Sequence, residues 1–534
     1  MAARAPVLLR VAAVAVVAAA AAAARVATAA APPALTAVVA TVNMPSHVIA
    51  GTKWSLHLAA AGHDVTLAVP QGASAALAQR ELDADPAGAA VTVAGTGSLQ
   101  AWPPKELIAA LRFLPKPQSW ASVRAALSQE SFLTSVSKMA NDAHEPMFEP
   151  LADLLRSVRP DVIVADMPLA TLAADAAELA GCDAPVVMGV PWPYDTRIAY
   201  ESAFDVPGGL VPRQRGFFPH TALYPAQPPP GPAGWAQRAW LWIEAVVEQR
   251  HIDKYNSEYL PMARERHGLP ALPAGAPVRT QVPWRGPIVS VGGAPLTLPH
   301  PAPPRVAVVG AMERPPRPMA AGSEELASWL ADPATLDAGV VYVAMGTGMT
   351  LHAEEARAIA AELGADLAGA RGGPRLLWSL RPSEQEILWP ELEAAMGPAE
   401  LTPSGAQTFL NGTVRVEAFV PQRSVLAAGA VRLFLSHMGM GSFCEGMVAG
   451  VPFLAYPGFS DQFANAQRAV DAGTARVVPP GMGGLGAAAR EALAPGSPMA
   501  VAAVAARDQL EAAGGGAAAV AHIEAAARGT LGYP

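Results

Sequence analysis

The chain has 534 residues, more than one hydrophobic core usually supports, so two domains of comparable size are expected. Hydrophobic residues make up 51%, and the 53 Pro and 47 Gly together stay under a fifth of the chain, which excludes a disordered or low-complexity protein. The net charge is −8 and no Lys/Arg-rich run could neutralise a phosphate backbone, which excludes nucleic acid as the expected partner.

At the N-terminus, Arg4 and Arg10 precede an apolar run from Val11 to Ala24, small residues follow around Ala27 to Ala31, and no acidic residue occurs before Asp64. Residues 1–29 therefore read as a cleavable secretory signal, with the secretory pathway or endoplasmic reticulum lumen as destination; a signal anchor or an organelle transit peptide is the competing reading. No apolar tail precedes Gly532, Tyr533 and Pro534, so membrane contact does not extend to a C-terminal transmembrane helix. Short β-branched runs then alternate with helical patterns, the mark of βαβ units and parallel sheets. One set of predicted strands covers Thr36–Val42, Asp64–Val69, Asp161–Ala165 and Pro185–Gly189. A second covers Val340–Met345, Arg375–Leu380, Val414–Phe419, Arg432–Ser436 and Pro452–Tyr456. The reading is two α/β domains, at 30–310 and 336–505. Between them Ser290–Pro318 carries Pro299, Pro301, Pro303 and Pro304, and a linker is expected at 311–335.

Residues 190–235 are irregular, with Pro191, Pro193 and Pro228 to Pro230. They lead into a helical stretch from Ala236 to Arg266 that carries Trp240 and Trp242, either a wall of a binding pocket or a tryptophan-anchored core helix. Cys182 and Cys444 fall in different domains, give no metal-ligand spacing, and are expected as buried thiols. Asn411-Gly412-Thr413 is a glycosylation sequon or a plain turn. The one Asp-x-Asp, Asp83 and Asp85 before Pro86, reads as a solvated surface turn, and no metal site is predicted.

The densest chemistry is Phe419-Val420-Pro421-Gln422, then Ser436-His437-Met438-Gly439-Met440-Gly441-Ser442-Phe443-Cys444-Glu445-Gly446, then Asp461-Gln462 with Asn465. The middle piece is a strand end, a glycine turn and a helix start. Backbone N–H groups there suit a diphosphate, and Gly439 and Gly441 allow its close approach. His437 and Ser442 add donors, while Glu445, one turn in, can accept from ribose hydroxyls. Gly339–Gly348 is a buried strand entering a second glycine turn, where Gly346 and Thr347 could reach the phosphates.

This block resembles the donor-binding signature of the UDP-glycosyltransferase superfamily, closest to its bacterial macrolide-type members. The resemblance implies a GT-B fold, two Rossmann-like parallel-sheet domains facing across a cleft, with a C-terminal helix at 506–534 packing back on the first domain. It implies Phe419 on the uracil, Gln422 beside base and ribose, His437 and Ser442 on the diphosphate, Glu445 on the ribose, and Asp461 and Gln462 on the sugar hydroxyls. Three positions depart from the pattern: Phe419 stands where Trp is usual, Met438 where Gly or Cys is usual, and Gly441 where many relatives have Asn. A UDP-sugar would be a co-substrate, with no cofactor; glucose, glucuronic acid, galactose and xylose all fit, and the resemblance favours glucose or glucuronic acid.

In the first half, Asn43 to His47 form a predicted loop at a strand's C-terminal end, where α/β sites lie, and a histidine's pKa suits base work. Gly62-His63-Asp64 matches the family's next turn. Asp166 closes another strand and is the expected partner for His47, its competing role being a helix N-cap. The expected reaction is inverting, metal-independent transfer to a hydroxyl of a small apolar acceptor. Two rival readings are a non-catalytic nucleotide binder and a dinucleotide-dependent oxidoreductase, since Gly439-x-Gly441 follows a strand and Asp461 lies about 20 residues on. The oxidoreductase fingerprint would want a glycine where Cys444 stands.

Overall fold

The computed structural model describes residues 33–97, 145–191, 261–271, 286–293, 295–296, 305–316, 319, 322–346, 348–458 and 461–531. The predicted signal at 1–29, the tryptophans at 240 and 242, the prolines at 193, 228 to 230, 299, 301, 303 and 304, and Thr347 lie outside them.

The first sheet consists of β1 (Thr36–Ala40), β2 (Asp64–Val69), β3 (Val91–Gly95), β4 (Val162–Asp166), β5 (Val186–Val190), β6 (Ile288–Ser290) and β7 (Val306–Val308). Its order is β3-β2-β1-β4-β5-β6-β7 and every pairing is parallel. The second consists of β8 (Val340–Ala344), β9 (Arg375–Ser379), β10 (Glu400–Leu401), β11 (Gln407–Phe409), β12 (Val414–Glu417), β13 (Val431–Ser436), β14 (Phe453–Ala455) and β15 (Ala475–Val477). Its order is β10-β11-β12-β9-β8-β13-β14-β15, parallel except for the β10–β11–β12 edge. β4 and β8 are buried at every residue, which explains why both read as unbroken apolar runs without alternation.

Four helices serve the first sheet: α1 (Pro45–Ala60), α2 (Ala73–Asp83), α3 (Phe148–Val158) and α4 (Ala170–Ala180). α3 buries Phe148, Leu151, Ala152 and Leu155, the i, i+3, i+4, i+7 stripe of an amphipathic helix. α4 stops at Gly181, whose φ of 62° breaks the helix without a Cβ penalty. The second sheet carries α5 (Gln422–Ala427), α6 (Met440–Ala449) and α7 (Gln462–Asp471). Two last helices, α8 (Pro498–Ala512) and α9 (Gly515–Ala527), end the chain, and α9 lies against α1, β4, β6 and β7 of the first half. There His63 meets Glu524 at 3.0 Å and His522 meets the Arg305 carbonyl at 3.1 Å. Among the described residues no helix is long and apolar enough to cross a membrane.

In both sheets the strand order reverses at one place, between β1 and β4 and between β8 and β13. A reversal opens a crevice at the strands' C-terminal ends, because the following chain leaves in opposite directions. His47 and Asp166 flank the first crevice; Gly346 and His437 flank the second.

Three expectations need correction. Asp85 is buried, not solvated: it caps the turn at Ala87 N and takes Arg314 bidentately at 2.9 and 3.0 Å, while Asp83 alone stays exposed. Cys182 is only partly buried, whereas Cys444 is buried. His47 is not in a loop but in the first turn of α1, since Pro45 pre-sets φ at the helix start. Asn411 sits at φ 56° and Gly412 at φ 81°, a tight exposed turn between β11 and β12.

α1 is held close to the sheet by Trp54, whose ring lies against Gly189 of β5, the register partner of Asp166. A Cβ at Gly189 would enter that ring, so Gly189→Ala should cost roughly 1–3 kcal/mol by overpacking. It should also lower turnover beyond what the stability loss explains, because His47 rides on the same helix. Thermal melts with parallel turnover assays check this; an unchanged midpoint would show that the close packing is not needed.

Candidate active site

His47 Nδ1 lies 2.6 Å from Asp166 Oδ2, and both side chains are buried. A carboxylate only accepts, so Nδ1 carries the proton and Nε2 presents its lone pair. Asp166 heads the turn Met167–Leu169, but its side chain makes no capping hydrogen bond there, so its interaction is with His47. Burial works against the imidazolium; the Asp166 charge and hydrogen bond, aided by the Asp461 charge from the second half, outweigh it and raise the His47 pKa. Asp461 is itself raised by burial, against lowering by Asn465, Arg468 and His47.

In the second half β13 ends at Ser436 and α6 starts at Met440 with Gly439 as its N-cap. The linking Met438 is buried at φ 64°, an unusual conformation for a side-chain-bearing residue. It is fixed by Ser436 Oγ accepting from its N–H at 3.1 Å and by Asn465 Nδ2 donating to its carbonyl at 3.0 Å. Thus the departure at 438 is accommodated by neighbours instead of by glycine. Burial drives the His437 pKa down to about 4, so its imidazole is neutral around pH 7.

The glycines divide the work differently from the sequence expectation. A Cβ at Gly346 would stand 2.5 Å from His437 Nε2, and one at Gly439 would also collide with that nitrogen. These two glycines make room for the His437 ring. Gly441, with nothing within 4 Å of its Cβ position, is the one that faces open space at the helix N-terminus.

Gln422 ties the remaining donor-side groups together. Its Nε2 donates to Ser442 Oγ at 3.0 Å and to Glu445 Oε2 at 2.7 Å, and its Oε1 accepts from the Tyr342 hydroxyl at 3.2 Å. With its oxygen accepting from Gln422, Ser442 keeps its own proton to donate toward the helix mouth. Burial and the Glu313 charge push Glu445 up to about 7, against Lys53, Gln422 and Arg423. Gln462 is buried and spends its carbonyl on Gly458 N at 2.8 Å, and Asp461 Oδ2 accepts from Asn465 at 2.9 Å. Phe419 stands apart on the rim, past the end of β12, with 69% of its surface exposed.

Sequence reasoning missed the charges that join the halves. Lys53 of α1 meets Glu313 Oε1 at 2.5 Å and lies 4.0 Å from Glu445; Arg423 of α5 meets Glu313 Oε2 at 3.3 Å. The only available signal was a Lys six residues after His47 and an acidic residue in the proline-rich crossover. Among the described residues, no three His, Cys, Asp or Glu side chains converge as metal ligands.

Residues 292–480 match the family described as UDP-glucoronosyl and UDP-glucosyl transferase. Over this region the chain is similar to UDP-glycosyltransferases. It is 32% identical over 149 residues to a flavonol 7-O-rhamnosyltransferase of Arabidopsis thaliana, covering 28% of this chain and 32% of that one. Against cis-zeatin O-glucosyltransferase 2 of Zea mays the identity is 36% over 123 residues, 23% and 25% of the two chains. The match thus spans a third or less of either relative's length. The fold is shared over far more. The glycotransferase of kitacinnamycin superposes with a TM-score of 0.55 at 19% identity, covering 93% of this chain and 100% of that one. Arabidopsis thaliana UGT89C1, solved with UDP-L-rhamnose, gives 0.55 at 18%, covering 93% and 99%. Two facing doubly wound sheets make the fold GT-B, and the oxidoreductase reading of Gly439-x-Gly441 falls away.

The glycine assignments are separable by mutation. Gly439→Ala should displace His437 and weaken UDP binding roughly tenfold or more, the loss expected for a hydrogen bond to a charged group. Gly441→Asn should shift stability by no more than about 0.5 kcal/mol. Calorimetric titration with UDP and thermal melts check both; equal UDP affinity in Gly439→Ala and wild type would contradict the assignment.

Proposed function

We propose that this protein transfers a hexose or hexuronic acid from a UDP-sugar to a hydroxyl of a small lipophilic acceptor such as a phenol or sterol, with inversion and without a metal ion. The observation that carries the reading is the buried 2.6 Å contact between His47 and Asp166, on the half facing the nucleotide-type cradle. Relatives that transfer sugars to flavonol and zeatin hydroxyls support the acceptor class.

In this mechanism His47 Nε2 takes the acceptor hydroxyl's proton as the oxygen attacks the anomeric carbon. The bond from that carbon to the diphosphate oxygen breaks with its electron pair, and UDP leaves from the opposite face. Asp166 holds the ring's tautomer and stabilises the imidazolium. The leaving charge meets the N-terminus of α6, neutral His437 and the Ser442 hydroxyl, fixed dipoles that need no reorganisation. Asp461 and Gln462 take the sugar hydroxyls, Glu445 and Gln422 the ribose, and Phe419 the uracil.

UDP release with UDP-glucose and UDP-glucuronic acid, over a panel of phenolic and sterol acceptors, tests the proposal. His47→Ala should cost roughly 10²–10⁴ in turnover with UDP affinity retained; turnover that survives the substitution would remove His47 as the base. Because the base must be neutral and its pKa is raised, activity should rise with pH along an acid limb lying above 6.5. Asp166→Asn removes the charge that raises it, so the limb should move to lower pH as turnover falls. A limb that stays in place would separate Asp166 from the base.

A further inference from the structure

Among the described residues Phe419 is the most exposed aromatic ring, and the guanidinium of a residue of the other half lies over it. Arg80, on α2, places its guanidinium carbon 5.9 Å from the Phe419 ring centroid. The Arg80 side chain is 66% exposed, and its acidic neighbour Glu81 stands 4.0 Å away, beyond hydrogen-bonding distance. A flat cation and a flat ring therefore oppose each other across the cleft, one from each half. Guanidinium planes and aromatic faces are the two surfaces on which nucleobases stack.

We propose that Arg80 is the second jaw of a nucleobase clamp, with the donor's uracil held between its guanidinium and the Phe419 ring. This rests on the reading that Phe419 carries the base. Two stacking contacts at about 3.5 Å each need a gap of about 7 Å. The guanidinium carbon lies 5.9 Å from the ring centroid, so the solvent-exposed arginine must move outward by a rotamer adjustment to admit the base. Without donor the guanidinium rests on the ring as a cation–π pair, and with donor it backs the base instead. The arrangement also accounts for Phe at 419. A phenyl face offers less stacking area than an indole, and a second plate restores what the smaller ring gives up. Since the jaws belong to different halves, a bound base bridges the two sides of the cleft.

The test is calorimetric titration of the full-length protein with UDP and, separately, with inorganic pyrophosphate. Arg80→Ala should weaken UDP binding roughly 5- to 30-fold, the range for one lost stacking partner, and leave pyrophosphate binding unchanged. In turnover assays the loss should fall on KM for the UDP-sugar far more than on kcat. Arg80→Lys should recover little, because an ammonium cannot stack. Arg80 is exposed, so these variants should melt like wild type. Equal losses of UDP and pyrophosphate affinity, or full recovery with lysine, would show a purely electrostatic role and overturn the clamp. Tighter UDP binding in Arg80→Ala would make Arg80 a competitor for the ring and also overturn it. Phe419→Ala separates the two layers of the argument. If it weakens UDP while Arg80→Ala does not, the base reading stands and the clamp falls; if it leaves UDP binding intact, both fall.

Discussion

Glu313 accepts one cation from each half of the molecule, Lys53 from the helix that bears His47 and Arg423 from the helix that opens with Gln422. A base on one half and a nucleotide cradle on the other are useful only if their spacing is held to a fraction of an ångström, since a misplacement of about 1 Å can cost 10²-fold in rate. The crossover segment supplies that register with more than one contact. The Met312 carbonyl meets His57 at 3.2 Å and its sulfur takes the Trp54 indole N–H. Arg314 holds Asp85 of the first half, and its own carbonyl receives Arg423 of the second. Burying such charges is expensive unless each is paired, so the stretch from Met312 to Pro315 tolerates one arrangement of the halves far better than others.

That pairing leaves one imbalance. Glu445 lies near the same cluster, and burial plus the Glu313 charge push it up to about 7, so it takes up a proton near neutrality. A ribose that donates hydroxyl hydrogens to this carboxylate would favour its ionised form and pull the pKa back down. At His437 burial acts in the opposite sense on a cation, and the imidazole stays neutral in the space left by Gly346 and Gly439.

The sequence was most legible where a signal is local. Asp64–Val69 is read to the residue, because an apolar β-branched run follows the Gly62 turn. The other predicted strands are displaced by one or two residues at their ends, and β3, whose burial is broken and mostly partial, was not predicted. β6 and β7 went unread because three-residue strands in proline-rich surroundings are too short for periodicity. His47 and Asp166 could each be put at a strand's C-terminal end. Their contact needs β1 and β4 to be neighbours, a fact of sheet order that 119 residues of sequence do not carry. Asp85 shows the opposite failure. Asp-x-Asp before proline is a correct turn signal, but burial of that turn depends on Arg314, 229 residues away. Lys53 carried no signal for the same reason, since a basic residue on a helix reads as solvated until its partner in the other half is known.

The end of the chain adds a second constraint of the same kind. The polypeptide passes from the first half to the second just after Gly310 and comes back between α8 and α9. A Cβ at Gly310 would meet Ala513 at 3.0 Å, and one at Gly515 would meet the Ala311 carbonyl at 2.5 Å, so the two crossings run side by side. Gly310 at φ 78° and Gly514 at φ 83° let the chain turn where a side chain would hold them apart. A single crossing would leave the halves free to twist as well as to open. Two adjacent crossings, fastened to the same stretch of α1 through His57 at Met312 on one side and at Gly516 on the other, tie the halves along one line beside that helix. The helix that carries His47 is thereby anchored at the crossings themselves, so the placement of His47 relative to the second half follows from where the chain crosses as much as from which residues it brings.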